Sequence, residues 1–200
     1  MTELHFVGDG SRDGYALPHL VSSLVGVEVG GPFESWHDIR VNTRKGYAGK
    51  LLYAIDRARS KRARGLVAVV DRDKAPQGSR LKELRQTRDF DRLREPSIPV
   101  AIGEADPHGE VWLLDDPVAV RRVLALAADT VVISVRKSKS PKADLDRLIA
   151  AANLDPSDAD PPHAKIAKAL DQERCVHAGE TGFAAFVKDV RAELAHLAAS

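Results

Sequence analysis

Leu66-Val67-Ala68-Val69-Val70-Asp71-Arg72-Asp73 is the stretch that decides the fold. Five consecutive apolar residues follow the break at Gly65, and three of them are β-branched valines. A strand apolar on both faces must be covered on both, as a central strand of a parallel sheet is. It ends in an Asp-x-Asp pair, at the carboxyl end of the strand, where open parallel sheets place their ligands.

Outward toward the N-terminus, Gly46–Arg62 has helical spacing, with Leu51, Leu52 and Ile55 on one apolar face. Leu4–Val7 is a short strand broken by Gly8-Asp9-Gly10. A helix follows within Ser11–Val25, where Pro18 marks a first turn or a kink. Residues 27–45 are mixed, with a strand expected over Trp36–Val41 and a basic turn over Arg40–Lys45. Toward the C-terminus, a charged helix spans Ser79–Leu93 and is closed by Pro96, and Ile98–Gly103 is a buried-type strand. Helices are expected at Glu110–Leu114 and at Pro117–Ala128, the second with proline at a favoured first position. One more strand is expected over Thr130–Val135. Helices then follow at Ala143–Ala152, Ala164–Gln172 and Gly182–Ala198, with a Pro/Asp turn over Asp155–Pro162.

Alternating strands and helices predict an α/β fold, Rossmann-like and layered around a mainly parallel central sheet. The expected organisation is an α/β domain over residues 1–152, with a helical extension over 153–200 packed on the same domain.

Composition narrows the function. Hydrophobic residues at 44% and charged residues at 30% describe a globular chain rather than a disordered one. The net charge of +1 means that a nucleic-acid surface has to be a local patch. The single cysteine, Cys175, excludes an intrachain disulfide and a Cys-rich zinc site. No apolar run reaches the roughly 18 residues of a membrane span, and the start of the chain lacks the plan of a signal peptide. A cytoplasmic protein with no membrane partner is expected. No P-loop and no His-Glu-x-x-His spacing occurs. His163 and His177 read as surface residues, Trp112 as core, Trp36 as either core or a base-stacking platform, and Cys175 as structural.

Three groups of acids fall at strand ends: Asp9 with Asp13, Asp71 with Asp73, and Glu104 with Glu110. Each has an ordinary structural role available. Asp9 suits a turn between glycines, Asp13 or Ser11 suits a helix cap, Glu110 suits a helix start, and Asp-x-Asp suits an Asx turn. Jointly they predict more. Two carboxylates about 4 Å apart repel by roughly 4 kcal/mol at an effective dielectric of 20. A hard cation with oxygen ligands relieves such a cluster, and Mg²⁺ is commonly completed by phosphate.

In order, these segments resemble the Toprim fold, and more closely the small Toprim-like proteins of the DUF4276 type, which are similar to the Toprim half of OLD-family nucleases. The residues that carry the resemblance are Phe6-Val7-Gly8-Asp9-Gly10-Ser11-Arg12-Asp13, then Val67-Ala68-Val69-Val70-Asp71-Arg72-Asp73. Gly109-Glu110-Val111-Trp112-Leu113-Leu114-Asp115-Asp116-Pro117 follows, and then Ser140-Pro141-Lys142-Ala143-Asp144-Leu145. The likeness covers residues 4 to 150, and Glu110-x-Trp112-Leu113-Leu114 is its most specific part. The family's first-strand glutamate is absent here. Asp9 replaces it only with one residue inserted, and it is a methylene shorter.

The resemblance implies a metal-dependent nuclease acting on DNA or RNA, of a kind used in defence against phage or mobile DNA, with an ATPase partner subunit. It implies Mg²⁺ or Mn²⁺ held by Asp9, Asp71 and Asp73, with Asp13 and Glu110 in support, and Lys142 neutralising charge on the phosphate. Asp9, Asp71, Asp73 and Lys142 are then the catalytic set. Phosphate contacts would come from local basic runs, with Arg44, Lys45 and Lys50 in one and Arg136, Lys137 and Lys139 in another. Such runs are otherwise solvated faces. A weakly active subunit that binds nucleic acid or an ATPase, and a phosphatase using Asp71 as nucleophile, are the alternatives. The sequence sets no oligomeric state.

Overall fold

The structure is a computed structural model that describes residues 2–41, 46–152, 154 and 160–199. In chain order the strands are β1 (Thr2–Glu3), β2 (His5–Gly8), β3 (Val29–Gly30), β4 (Phe33–Ser35), β5 (Leu66–Asp71) and β6 (Val100–Ala105). The helices are α1 (Ser11–Val25), α2 (Gly46–Ser60), α3 (Ser79–Asp91), α4 (Glu110–Leu114), α5 (Pro117–Val123), α6 (Pro141–Ala151), α7 (Pro162–Ala169) and α8 (Phe183–Leu194).

The main sheet is wholly parallel, in the order β4-β2-β5-β6. β1 and β3 extend the β2–β4 pairing in the same register, Thr2 facing Val29 as Phe6 faces Phe33. The chain thus winds from β2 out to β4 through α1, then back past β2 to β5 through α2. That reversal creates a switch point between β2 and β5, where parallel sheets open a crevice at the strands' carboxyl ends.

β5 separates two cores by simple alternation. Val67 and Val69 pack with Phe6, Leu17, Leu20, Trp112 and Phe186, on the face covered by α1, α7 and α8. Leu66, Ala68 and Val70 pack with Val7, Trp36, Leu51, Ile55 and Leu84, on the face covered by α2 and α3. The double cover expected of β5 is present.

Two expected strands are not. The chain is extended at Phe33–Ser35 rather than Trp36–Val41, because Pro32 and Gly31 bring the backbone against Leu4 and Phe6. Trp36 then turns inward, and its indole N–H donates to the Val69 carbonyl at 2.6 Å. Thr130–Val135 forms no strand despite its β-branched sequence, because the free edge of β6 is already closed. The Ile102 N–H donates to Asp189 of α8 at 2.8 Å, and the Asp106 N–H donates to the Thr181 carbonyl at 3.0 Å. Gly182 lies so close to β6 that a Cβ there would stand 2.0 Å from the Glu104 carbonyl oxygen.

Trp112 is core, stacked on Phe186 with ring centroids 4.9 Å apart, and Trp36 is core as well. Cys175 is buried. His163, expected at the surface, is buried, because α7 lies across α1 and turns the ring inward.

Candidate metal centre at the sheet switch point

The loops after β2, β5 and β6 meet in an open cleft of about 440 Å³ at the carboxyl ends of the strands. Asp9, Asp13, Asp71, Asp73 and Glu110 line it, together with Arg12, Arg80, Lys142, His37, His108 and Tyr47. The sequence brought the same five acids forward, and folding gathers them around one space.

Asp13, three residues past the N-cap of α1, is wedged between two glycines. Its Oδ2 accepts the N–H groups of Asp9 at 2.7 Å and Gly10 at 3.2 Å, closing the entry to α1. A Cβ on Gly8 would stand 2.7 Å from its Cβ and Oδ2, and one on Gly109 would stand 2.9 Å from its Oδ1. Those contacts account for glycine at both positions.

Asp9 crosses the switch point: its Oδ2 accepts the N–H of Asp71 at 2.5 Å. Asp71 is held in turn by the N–H of Gly109, which donates to Oδ1 at 2.9 Å, and its Oδ2 lies 3.1 Å from His108 Nδ1. Asp73 has a left-handed backbone, φ 49°, which only a minority of non-glycine residues adopt. Its Oδ2 receives Arg80 at 2.9 Å, and its Oδ1 lies 3.4 Å from His108 Nδ1. Arg80 also donates to the Asp71 carbonyl and stacks 5.2 Å from the centroid of Tyr47. One donor atom from each of Asp71, Asp73 and His108 lies within 4.8 Å of the other two.

The other acids are more fully engaged. Glu110 is buried and paired with Arg12 at 3.1 Å, and the same guanidinium reaches Asp146 at 2.9 Å. Glu104 lies within β6 and accepts the N–H groups of Gly78 at 2.9 Å and Leu81 at 3.0 Å, tying down the start of α3. It stays outside the cleft lining.

Crowding shows in the ionisation. Burial, then the charges of Asp13 and Asp9, push the Asp71 carboxyl up to about 8. Burial pushes Asp13 up to about 6 against the pull of the Gly10 and Asp9 N–H groups. Asp9 is also raised, by burial, although the Asp71 N–H opposes it. Five carboxylates face three fixed cations in the lining, an excess of two negative charges at full ionisation. That excess and the oxygen-rich donor set fit a divalent ion.

Lys142 lies in the first turn of α6, exposed at the rim of the cleft. The basic residues expected to touch nucleic acid differ in availability. Lys50 donates to the Trp36 carbonyl at 2.5 Å, and Arg136 pairs with Glu180. Lys137 and Lys139 are exposed beside Lys142 in sequence, whereas Arg44 and Lys45 lie outside the described residues. His108, Arg80 and Tyr47 escaped the sequence reading. A Gly109-Glu110 pair placed after a strand is the one local signal that pointed near His108.

Comparison with protein-family models, with curated proteins and with solved structures gives no match. No helix among the described residues is long and apolar enough to cross a membrane.

Proposed function

We propose that the protein is a metal-dependent phosphodiesterase acting on DNA or RNA, a nuclease of the Toprim kind. The observation that carries this reading is the meeting of Asp71, Asp73 and His108 at the switch point, in a cleft rimmed by Lys142 and Arg80. Bound there, Mg²⁺ or Mn²⁺ would supply an acidified water and charge neutralisation for phosphodiester cleavage.

The chain's own residues divide the remaining work. Asp9 fixes the backbone at Asp71, Gly109 fixes the Asp71 carboxylate, and Arg80 fixes Asp73. Lys142, at the rim of the cleft, would neutralise charge on a phosphate bound there. The exposed Lys137 and Lys139 would continue the phosphate track away from it.

Cleavage of plasmid and of single-stranded DNA and RNA tests the proposal, with Mg²⁺, Mn²⁺ or EDTA and with Asp71→Ala as control. Metal-dependent cutting by the wild type alone supports it. No cutting in either metal counts against it.

A second reading has one observation behind it. Asp9 and Glu110 already hold the Asp71 N–H and Arg12, which leaves fewer free ligands than an efficient nuclease of this kind would use. On that reading the chain is a weakly active subunit that recognises nucleic acid or an ATPase partner. Salt-sensitive binding without cleavage would favour it.

A further inference from the structure

We propose that His108 is a nitrogen ligand of this centre and makes it select Mn²⁺ over Mg²⁺; the inference rests on the metal-dependent reading above.

Each acid of the pair has one oxygen engaged and the other turned toward the imidazole. Asp71 Oδ1 is taken by the Gly109 N–H and Asp73 Oδ2 by Arg80. The remaining oxygens, Asp71 Oδ2 and Asp73 Oδ1, stand 3.1 and 3.4 Å from His108 Nδ1. Neighbouring ligands on an ion with bonds of about 2.1 Å stand roughly 3.0–3.4 Å apart, from right-angled to tetrahedral arrangements. Both separations to His108 fall in that range.

The supports come from different elements: Asp71 ends β5 and Asp73 follows it, while His108 and Gly109 follow β6. The Asp73 N–H donates to the Pro107 carbonyl at 3.1 Å, so the two loops are fastened together next to the three donors. Partners of this kind orient ligands and typically alter metal affinity 10–100-fold when removed, on the order seen across metal sites.

Nitrogen decides the metal. Mg²⁺ prefers oxygen ligands and sheds water reluctantly. Imidazole favours first-row transition ions, whose affinity for such sites rises from Mn²⁺ onward. Two carboxylates alone would accept Mg²⁺ and Mn²⁺ on similar terms, and the ring tips the choice.

The competing arrangement keeps the proton on Nδ1, shared between the two carboxylates, with no ring–metal bond. Titration of Mn²⁺ into the metal-free full chain separates the two, with free Mn²⁺ read by electron paramagnetic resonance, Mg²⁺ as competitor and pulsed spectra read for ¹⁴N coupling. Wild type should bind Mn²⁺ at least about 10-fold more tightly than Mg²⁺ and show ¹⁴N modulation. His108→Ala and His108→Gln should lose the modulation and most of the preference, their Mg²⁺ affinity changing by less than about 3-fold. Bound Mn²⁺ without ¹⁴N coupling, or an unchanged preference in both variants, overturns the role of His108 and leaves the metal-dependent reading standing. No Mn²⁺ bound by wild type overturns both.

Discussion

Asp9 and Asp71 sit at the carboxyl ends of neighbouring strands, where the winding of the sheet reverses, and the carboxylate of the first accepts the backbone N–H of the second at 2.5 Å. One acid thus sets the chain direction at the other. A glutamate in place of Asp9 would carry its carboxylate a methylene further, past that N–H. The shorter residue here therefore serves to position Asp71.

Asp71→Asn should stabilise the metal-free protein at alkaline pH. Folding raises this carboxyl from its ordinary 3.8 to about 8, so the unfolded chain ionises first as pH rises. The loss of stability builds between about pH 4 and 8; there is none below that window, and it is complete above it. Asp13 and Asp9 are coupled to the same site, so the gain on substitution is about 1–3 kcal/mol at pH 8 rather than the full shift. Thermal melts should show Asp71→Asn several degrees above wild type at pH 8 and level with it at about pH 3.5. A gap that is the same at both values would contradict the linkage.

Divalent metal should act in the opposite sense on the wild type. Binding to the folded state alone stabilises it by about 2.7 kcal/mol at a hundred times Kd. The melting temperature at pH 8 should therefore rise with Mn²⁺ and fall back with EDTA, and Asp71→Asn should be indifferent to both. An equal metal-induced rise in the variant would move the ion away from this cluster.

Gly8→Ala should damage both fold and site. The new methyl would meet the Cβ and Oδ2 of Asp13 at 2.7 Å, and Asp13 is tied to the Asp9 and Gly10 N–H groups. A cost of about 1–3 kcal/mol is expected from overpacking. Chemical denaturation measures it, and the double variant Gly8→Ala/Asp13→Gly should show non-additive costs, because every atom the methyl would meet is gone.

The β5 stretch, its cover on both faces and the gathering of the five acids were legible because local chemistry carries them: an unbroken apolar run, and carboxylates at strand ends. Thr130–Val135 misled because its propensity for strand is intrinsic, whereas a strand needs a free neighbour. The Thr181–Gly182 turn and Asp189 of α8, some fifty residues further on, occupy that neighbour's edge. His108 was out of reach for a similar reason. It lies 37 residues from Asp71, and the pairing of Asp71 with Ala105 across β5 and β6, continued by the Asp73 N–H on the Pro107 carbonyl, brings the two loops together. Arg80 stands seven residues beyond Asp73 and returns to it because the chain turns over residues 74–78 before α3 begins.

Lys142→Ala separates chemistry from structure. The side chain is exposed and rims the cleft, so melting temperature and Mn²⁺ affinity should be unchanged. Cleavage should fall by about 100-fold if the lysine neutralises charge developing on the phosphate. Single-turnover rates on a labelled single strand measure it, and a rate within twofold of wild type would remove Lys142 from the catalytic set.

Everything proposed for this cleft depends on Asp71 and Asp73 holding a divalent ion. Crystals grown with Mn²⁺ and measured at a wavelength where manganese scatters anomalously test that most directly. The expected result is a single strong peak between the Asp71 and Asp73 carboxylates, within about 2.3 Å of an oxygen from each. A map with no peak in the cleft at millimolar Mn²⁺, or with its peak on surface carboxylates elsewhere, would contradict the metal centre and the phosphodiesterase built on it.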